Sequence, residues 1–348
     1  VRHDDPVMTV MDSRQINLTS SRHQQGLTLV EMMVAMTIGL VLLGGVITVL
    51  TSSQQTYRVN EAMARLQENA RYAFQLLSRD IRMAGYRGCA GDGVAVTNVL
   101  EDATGFLWRF DQPLEGFEAA AANGWIPDLP AGVILSPQEG RDVVVVRGVE
   151  GTGTNILSHP SDAAGLTIPS GSGLQSGDTV LVSGCQGAAI FQVTGISTSS
   201  GQDTIEHEGE TGKPNSTTTL GRTFTGGEMA RIGTRIYYIR VNPRGIPALY
   251  WRRGGNTEEL VEGIENLQIQ YGEDTNGDRA VDIYRTADQV ADWEAVVSVR
   301  IDLLVQSVED GIASQPQTYT FDGVSVTPAD RRLRQTFSTV IALRNRAS

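Results

Sequence analysis

Gly26-Leu27-Thr28-Leu29-Val30-Glu31 opens the stretch that decides the fold, and from Leu27 to Leu50 the only charged residue is Glu31. At about 1.5 Å per residue this run makes a helix of roughly 36 Å, enough to cross a hydrocarbon core of about 30 Å. A carboxylate in such a span costs roughly 2.5–3.5 kcal/mol at the bilayer centre, so Glu31 calls for a partner inside the membrane. Gly26, directly before the run, has no Cβ and leaves its backbone open to close approach.

On the N-terminal side, Arg14 and Arg22 precede the run and no acidic residue lies between Arg14 and Gly26. The positive-inside rule places this end in the cytoplasm, and without a second apolar span the chain crosses once. Residues 1–26 read as a leader outside the fold. Its Asp4, Asp5 and Asp12 cancel Arg2, Arg14 and Arg22, so the mature chain keeps the net charge of −12; a start at Met11 would shorten the leader.

On the C-terminal side the helix is expected to continue. No proline or glycine occurs from Thr51 to Ala84, and Tyr57, Ala62, Leu66, Ala70, Ala73, Leu77, Ile81 and Ala84 recur at helical spacing. That is the stripe of an amphipathic helix laid on a globular domain, with Arg58, Glu61, Arg65, Glu68, Arg71, Arg79 and Asp80 on the other faces. Gly85 reads as the C-cap. Gly39, Gly44 and Gly45 read either as weak points of the helix or as close-packing positions of a membrane helix.

After Gly85 the texture changes. Residues 86–140 are loop-rich, with Trp108, Phe110, Phe117 and Trp125 expected to pin the excursion to the core. Strands are expected at 142–149, 178–183, 189–196, 228–241, 248–252, 264–271, 294–305 and 335–343. The Gly/Ser/Thr-rich stretches 151–177 and 197–227 read as connectors too polar for a core. A long helix followed by an antiparallel sheet is an α+β pattern, here with long loop insertions. The organisation is leader 1–26, helix 27–85 (27–50 apolar, 51–85 amphipathic) and a β-rich globular domain 86–348.

The acidic balance, with Lys213 the one lysine, argues against a nucleic-acid surface, which needs clustered Lys and Arg. Cys89 and Cys185 both follow the apolar run. On the exported side an even pair favours a disulfide over a metal site, two unpaired buried thiols being the other reading.

The Gly26, Leu27 and Glu31 pattern resembles the prepilin cleavage site of type IV pilins and type II secretion pseudopilins. There a Gly precedes the cut, an apolar residue follows it, and Glu stands at the fifth mature position. Leu27 departs from the commonest Phe. The resemblance implies that a membrane-embedded prepilin peptidase cuts between Gly26 and Leu27 and methylates the new amine of Leu27, with Glu31 serving assembly. An uncleaved signal anchor with an incidental Glu is the other reading.

Three further stretches narrow the resemblance. Asp80-Ile81-Arg82-Met83-Ala84-Gly85-Tyr86-Arg87-Gly88-Cys89 looks like the helix-to-domain junction of PilW-type minor pilins. Gly184-Cys185-Gln186, leading into Ala189–Thr194, is similar to the second cysteine region of that family. Arg331–Phe337, running on to Ile341–Arg346, resembles its C-terminal strand. The resemblance implies a pilin-like fold and a minor pilin that helps prime type IV pilus assembly in a complex at the tip. Implied partners are other minor pilins, the major pilin, the prepilin peptidase, the inner-membrane assembly platform and a tip adhesin. The implied location is the inner membrane, with the C-terminal domain periplasmic, and then the pilus surface. Similarity of 264–305 to the J-type minor pseudopilin of type II secretion keeps that alternative open.

A signal-anchored periplasmic enzyme or binding protein is the alternative of a different class. After leader removal only His159 and His207 remain, neither in a recognised nucleophile or metal pattern. His207-Glu208-Gly209-Glu210 lacks the second His of a zinc-protease helix, and Ser170–Gly177 lacks the Lys-Ser/Thr of a phosphate loop. No enzyme and no required cofactor are therefore expected. One constellation carries chemistry: Asp274, Asn276, Asp278 and Asp282 stand at positions 1, 3, 5 and 9 of an EF-hand-like loop, with the Ala280 carbonyl at position 7. Arg279 replaces the usual Gly and Arg285 the usual bidentate Glu, so a weak calcium site and an acidic turn between strands both remain open.

Overall fold

The computed structural model describes residues 26–91, 94–120 and 124–346. The expected leader up to Gln25, with Arg14, Arg22 and the alternative start Met11, lies outside the described residues. Two compact units, Val1–Thr56 and Tyr57–Ser348, divide the chain, and helix α1 (Leu29–Arg82) contributes to both.

Within the first unit, α1 displays its apolar side chains from Leu29 to Leu50 on the surface. Thr37, Thr48 and Thr51 turn their hydroxyls back onto the carbonyls of Met33, Gly44 and Ile47, so no hydroxyl donor is left unpaired along this face. The helix runs through Gly39, Gly44 and Gly45 without a break, and nothing approaches within 4 Å of the position a Cβ would take there.

Within the second unit, α1 buries Leu66, Ala70, Ala73, Leu77 and Ile81, at steps of four, three, four and four residues. This matches the helical repeat, and the two alanines let the sheet approach closely. The stripe is shorter than expected, because Tyr57 is 71% exposed. Asp80, expected on a solvent face, is instead buried among the packed residues. The helix ends at Arg82 and not at a Gly85 cap. Met83 and Ala84 donate to Asp80 O and Ile81 O, Ala84 already bridges Gly148, and Gly85 N–H donates to Arg147 O. A Cβ on Gly148 would stand 2.9 Å from Met83 O, so glycine is what admits the helix end to the sheet.

The strands follow in order. β1 (Val96–Asn98), β2 (Leu114–Ala119) and β3 (Trp125–Ile126) lie in the loop-rich excursion. β4 (Val143–Asn155), β5 (Leu166–Pro169), β6 (Thr179–Gly184), β7 (Gly187–Gln192), β8 (Gly195–Ser199) and β9 (Gln202–Glu206) come next. β10 (Glu228–Val241), β11 (Pro247–Arg253), β12 (Asn256–Glu262) and β13 (Ile264–Glu273) then run almost continuously. β14 (Ile283–Arg285), β15 (Val296–Gln306), β16 (Tyr319–Phe321), β17 (Val324–Val326) and β18 (Arg334–Ala342) complete the chain.

β10 is long enough to hold β4 on one edge and both β6 and β11 on the other, and it organises a nine-stranded sheet. A four-stranded sheet has the order β14-β13-β15-β18. The main core lies between α1 and these two sheets: Leu66, Leu77 and Ile81 meet Val144, Tyr237, Leu267, Ile301 and Leu303. Among the described strands, pairing is antiparallel except between β1 and β7. As expected, Phe117 is buried and Trp108, Phe110 and Trp125 pack against neighbouring clusters.

The stretches 151–177 and 197–227 are not mere connectors. They supply β5, β8 and β9, a three-stranded sheet whose core holds Leu166, Ile168, Ile205, Leu220 and Phe224. Single apolar residues alternating with Thr and Ser, as in Leu166-Thr167-Ile168, suffice for short strands that bury one face.

Asp142 links the two main sheets. Its carboxylate accepts from Ala119 N–H at 2.9 Å and from Ile269 N–H at 2.7 Å, and its own N–H donates to Leu267 O. Burial, then the neighbouring Glu118, pushes the Asp142 carboxyl well above the usual range. Burial likewise pushes Glu118 up to about 7, against an ordinary 4.5. Between those values the folded chain holds a proton that the unfolded chain has released. Stability is therefore expected to fall as pH rises from about 4.5 to about 7. Glu118→Gln should flatten that slope, with thermal midpoints followed by circular dichroism across the window as the measurement.

Candidate assembly site

Gly26 and Leu27 are exposed and precede the helix, so the backbone between them is open to a protease. The first helical bond runs from Met32 N–H to Thr28 O at 3.1 Å. Thr28 N–H and Thr28 Oγ1 donate to Glu31 Oε2 at 3.0 and 2.9 Å, and Glu31 N–H donates to Thr28 Oγ1 at 3.2 Å. This is a reciprocal capping box, satisfying donors that the first turn of a helix leaves open. Its signal, Thr-x-x-Glu ahead of an apolar run, stands in the sequence, and a reading of the glutamate alone does not use it. α1 is long and apolar enough to cross a membrane, and none of its apolar window is buried in the chain.

Cys89 and Cys185 are joined by a disulfide, with their Cα atoms 4.6 Å apart. Cys89 follows the end of α1, and Cys185 sits in the turn between β6 and β7. A Cβ on Gly88 would fall 2.1 Å from Ser183 Oγ, so glycine is needed where the two segments meet.

In the loop after β13, Asp274 accepts from the N–H groups of Asn276, Gly277 and Arg279. Asn276 Oδ1 accepts from Asp278 N–H, and Asp278 Oδ1 accepts from Ala280 N–H. Asp282 Oδ2 accepts from Thr275 N–H and Oγ1. Asn276 Nδ2 stands between the other two oxygens, 3.3 Å from Asp278 and 3.1 Å from Asp282. As arranged, the carboxylates serve the turn, and those of Asp278 and Asp282 converge on the Asn276 amide. Among the described residues no group of three His, Cys, Asp or Glu is placed to hold a metal ion. A calcium ion would have to displace the Asn276 amide from between the two carboxylates.

His159 and His207 are both buried, their rings 6.1 Å apart. Phe224 N–H donates to His159 Nδ1, and His207 Nε2 donates to Ala164 O at 2.8 Å. Burial, then His207, lowers the His159 pKa. Stacked on Phe224 and tilted against Phe191, the two rings serve the core of the smaller sheet.

The comparisons with known proteins agree with this geometry. Residues 21–47 match the prokaryotic N-terminal methylation motif, which begins just ahead of Gly26 and ends within the apolar helix. That match, with the apolar helix, fits membrane anchoring. Residues 236–345, from β10 to the end of the four-stranded sheet, match the family described as type IV pilus-assembly protein W. Over these two stretches the chain is similar to type IV pilin-like proteins of the PilW family. A type IV-like pilin from Thermus thermophilus aligns at 13% identity and a TM-score of 0.33, over 81% of this chain and 99% of that one. The fold rests on the elements above and takes no support from so distant a likeness. No curated protein matches the chain.

The disulfide closes a long loop, its cysteines standing 96 positions apart in the sequence. Replacing Cys89 and Cys185 together by Ala should cost about 2–4 kcal/mol, chiefly by freeing the unfolded chain. Denaturant unfolding of the double variant against the oxidised parent reads this difference.

Proposed function

We propose that this protein is a minor pilin that helps prime type IV pilus assembly within a minor-pilin complex at the tip. It works as a shape and not as a catalyst. The observation that supports this reading is the N-terminal one: an open Gly26-Leu27 peptide, a capped helix start at Thr28 and Glu31, and an apolar helix that the chain leaves exposed. In this reading a prepilin peptidase cuts after Gly26 and methylates Leu27. The N-terminus faces the cytoplasm and the β-rich domain the periplasm until the subunit enters the filament. There the apolar helix packs with the major pilin and other minor pilins.

Glu31 has two roles to separate. Its carboxylate caps the helix through Thr28, and it would neutralise the amine of Leu27 inside the lipid, offsetting the burial of both charges. Glu31→Gln keeps an acceptor suited to the capping box but removes the charge, whereas Glu31→Ala removes both. Both variants are expected to be cleaved and to enter pili poorly. Full incorporation of Glu31→Gln alone would reduce the residue to a cap. Deleting the gene is expected to reduce surface pili seen by electron microscopy; normal pili with lost protein export would point to the secretion alternative.

The reading requires no cofactor. Calcium enters it only as a weak cation ordering the 274–282 loop, in the range of about 10⁻⁴–10⁻³ M typical of extracellular modules. Calorimetry at several millimolar calcium, with Asp274→Ala as the control, measures it. Absence of heat leaves the loop as an acidic turn.

A further inference from the structure

β18 ends the four-stranded sheet and, among the described residues, pairs only with β15. Leu343 N–H donates to Val297 O at 2.9 Å, continuing the same register. Bonded and non-bonded pairs alternate along an antiparallel ladder, so Gln335, Phe337, Thr339 and Ile341 turn their backbone groups to β15. Thr336, Ser338, Val340 and Ala342 turn theirs away.

The two ends of this outer edge are closed. Arg334 N–H donates to Gln317 Oε1 while Arg334 O accepts from Gln317 Nε2, and Arg344 N–H donates to Arg82 O. Between them, no backbone bond among the described residues takes the outward groups of Thr336, Ser338, Val340 or Ala342, all four of which are exposed.

Exposed sheet edges invite pairing, and proteins guard them by shortness, charge, proline or bulges. The other edges here follow that rule. β1, β3, β14 and β17 are three residues or fewer, and β8 has five. β5 carries Pro169, while β12 carries Glu258, Glu259 and Glu262 with a register shift against β11. β18 has none of these guards. Its nine residues pair with β15 without a shift, and no charge, proline or glycine occurs between Arg334 and Arg344.

We propose that the outer edge of β18 is a docking site for an extended strand of another protein, uncharged across Thr336–Ala342 and flanked by carboxylates. The backbone groups supply the pairing, as in other cases of strand addition. Charge selects the partner. From Arg331 to Arg346 the chain carries five arginines and no carboxylate, within a protein of net charge −12. Asp330 and Glu265 hold Arg334, and Arg331 and Arg344 are the exposed charges at the two ends. A second copy, parallel or antiparallel, would bring its own arginines to both ends, like against like. The proposal stands on the geometry of the edge and not on the assembly role, so either can fail alone.

The test uses the full chain in detergent and a labelled decapeptide, Glu-Glu-Thr-Val-Thr-Val-Thr-Val-Glu-Glu, followed by fluorescence anisotropy. Saturable binding is expected, with amide exchange slowed at Thr336, Ser338, Val340 and Ala342. A Lys-ended counterpart should bind at least about tenfold more weakly. Ser338→Pro removes one outward N–H while leaving the ladder to β15, and should weaken binding at least about tenfold. Should Ser338→Pro fail to fold, Val340→Asp places on the same edge, from an exposed side chain, a guarding charge that the peptide's carboxylates repel, and should weaken binding likewise. Parent-like binding by a folded variant, equal binding of the Lys-ended peptide, protection at a different edge, or no saturable binding at millimolar peptide would each overturn the proposal. Self-association of the parent that Ser338→Pro abolishes would overturn it too, by assigning the edge to a second copy.

Discussion

The second unit depends on one buried carboxylate. Asp80, on the packed face of α1, accepts from the Tyr237 hydroxyl and from Arg79 Nε, and lies 3.3 Å from Arg235. A buried charge is tolerated only when paired and hydrogen-bonded, and removing one partner of such a pair typically costs about 3–5 kcal/mol. Tyr237 and Arg235 both belong to β10, the strand that carries β4, β6 and β11. The end of the helix is thus fixed to the strand that organises the larger sheet. Burial, then Asp80, holds the Tyr237 hydroxyl protonated far above its ordinary range, so it remains a donor at any ordinary pH.

The network extends beyond Asp80. Arg235 also lies 3.5 Å from Glu150 on β4, and Glu150 takes two bonds from Arg253 on β11, at 3.0 and 2.9 Å. A second buried arginine, Arg147, donates to Glu115 and to the carbonyls of Phe106 and Gln112. The excursion between β1 and β2 is therefore anchored by polar bonds as well as by Phe117 and its neighbours. With the Cys89–Cys185 bond, these contacts tie the segment after α1 to the sheet.

Several elements were legible in the sequence and several were not. The strands β10, β11, β13, β15 and β18 could be read because their apolar residues alternate with few interruptions, whereas β12, β14, β16 and β17, short or largely polar, could not. The smaller sheet was missed, since its strands are short and its apolar residues stand singly among Thr, Ser and Gly. Tyr57 was assigned to the packed stripe and Asp80 to solvent, and both assignments were reversed. A helical wheel gives the angle of a side chain but not the extent of the sheet beneath it, nor whether a facing Arg235 and Tyr237 await a carboxylate. Gly85 was read as a cap, yet its N–H is taken by Arg147 O in a distant strand.

The sequence by itself determined the long apolar helix, its opening at Gly26, Leu27 and Glu31, and the change to β-rich texture after Gly85, because these rest on local periodicity and on the cost of charge in an apolar span. The cap of the first turn is local as well, since Thr28 and Glu31 stand three residues apart, and it is the tertiary structure that decided the rest. It alone decided that the 274–282 carboxylates serve their own turn, because their orientation depends on backbone donors that spacing does not reveal. And it alone decided which edge of which sheet is left unpaired, since the sequence of β18 fits a central strand as well as an edge, and hydrogen bonds between residues far apart in the chain settle which it is.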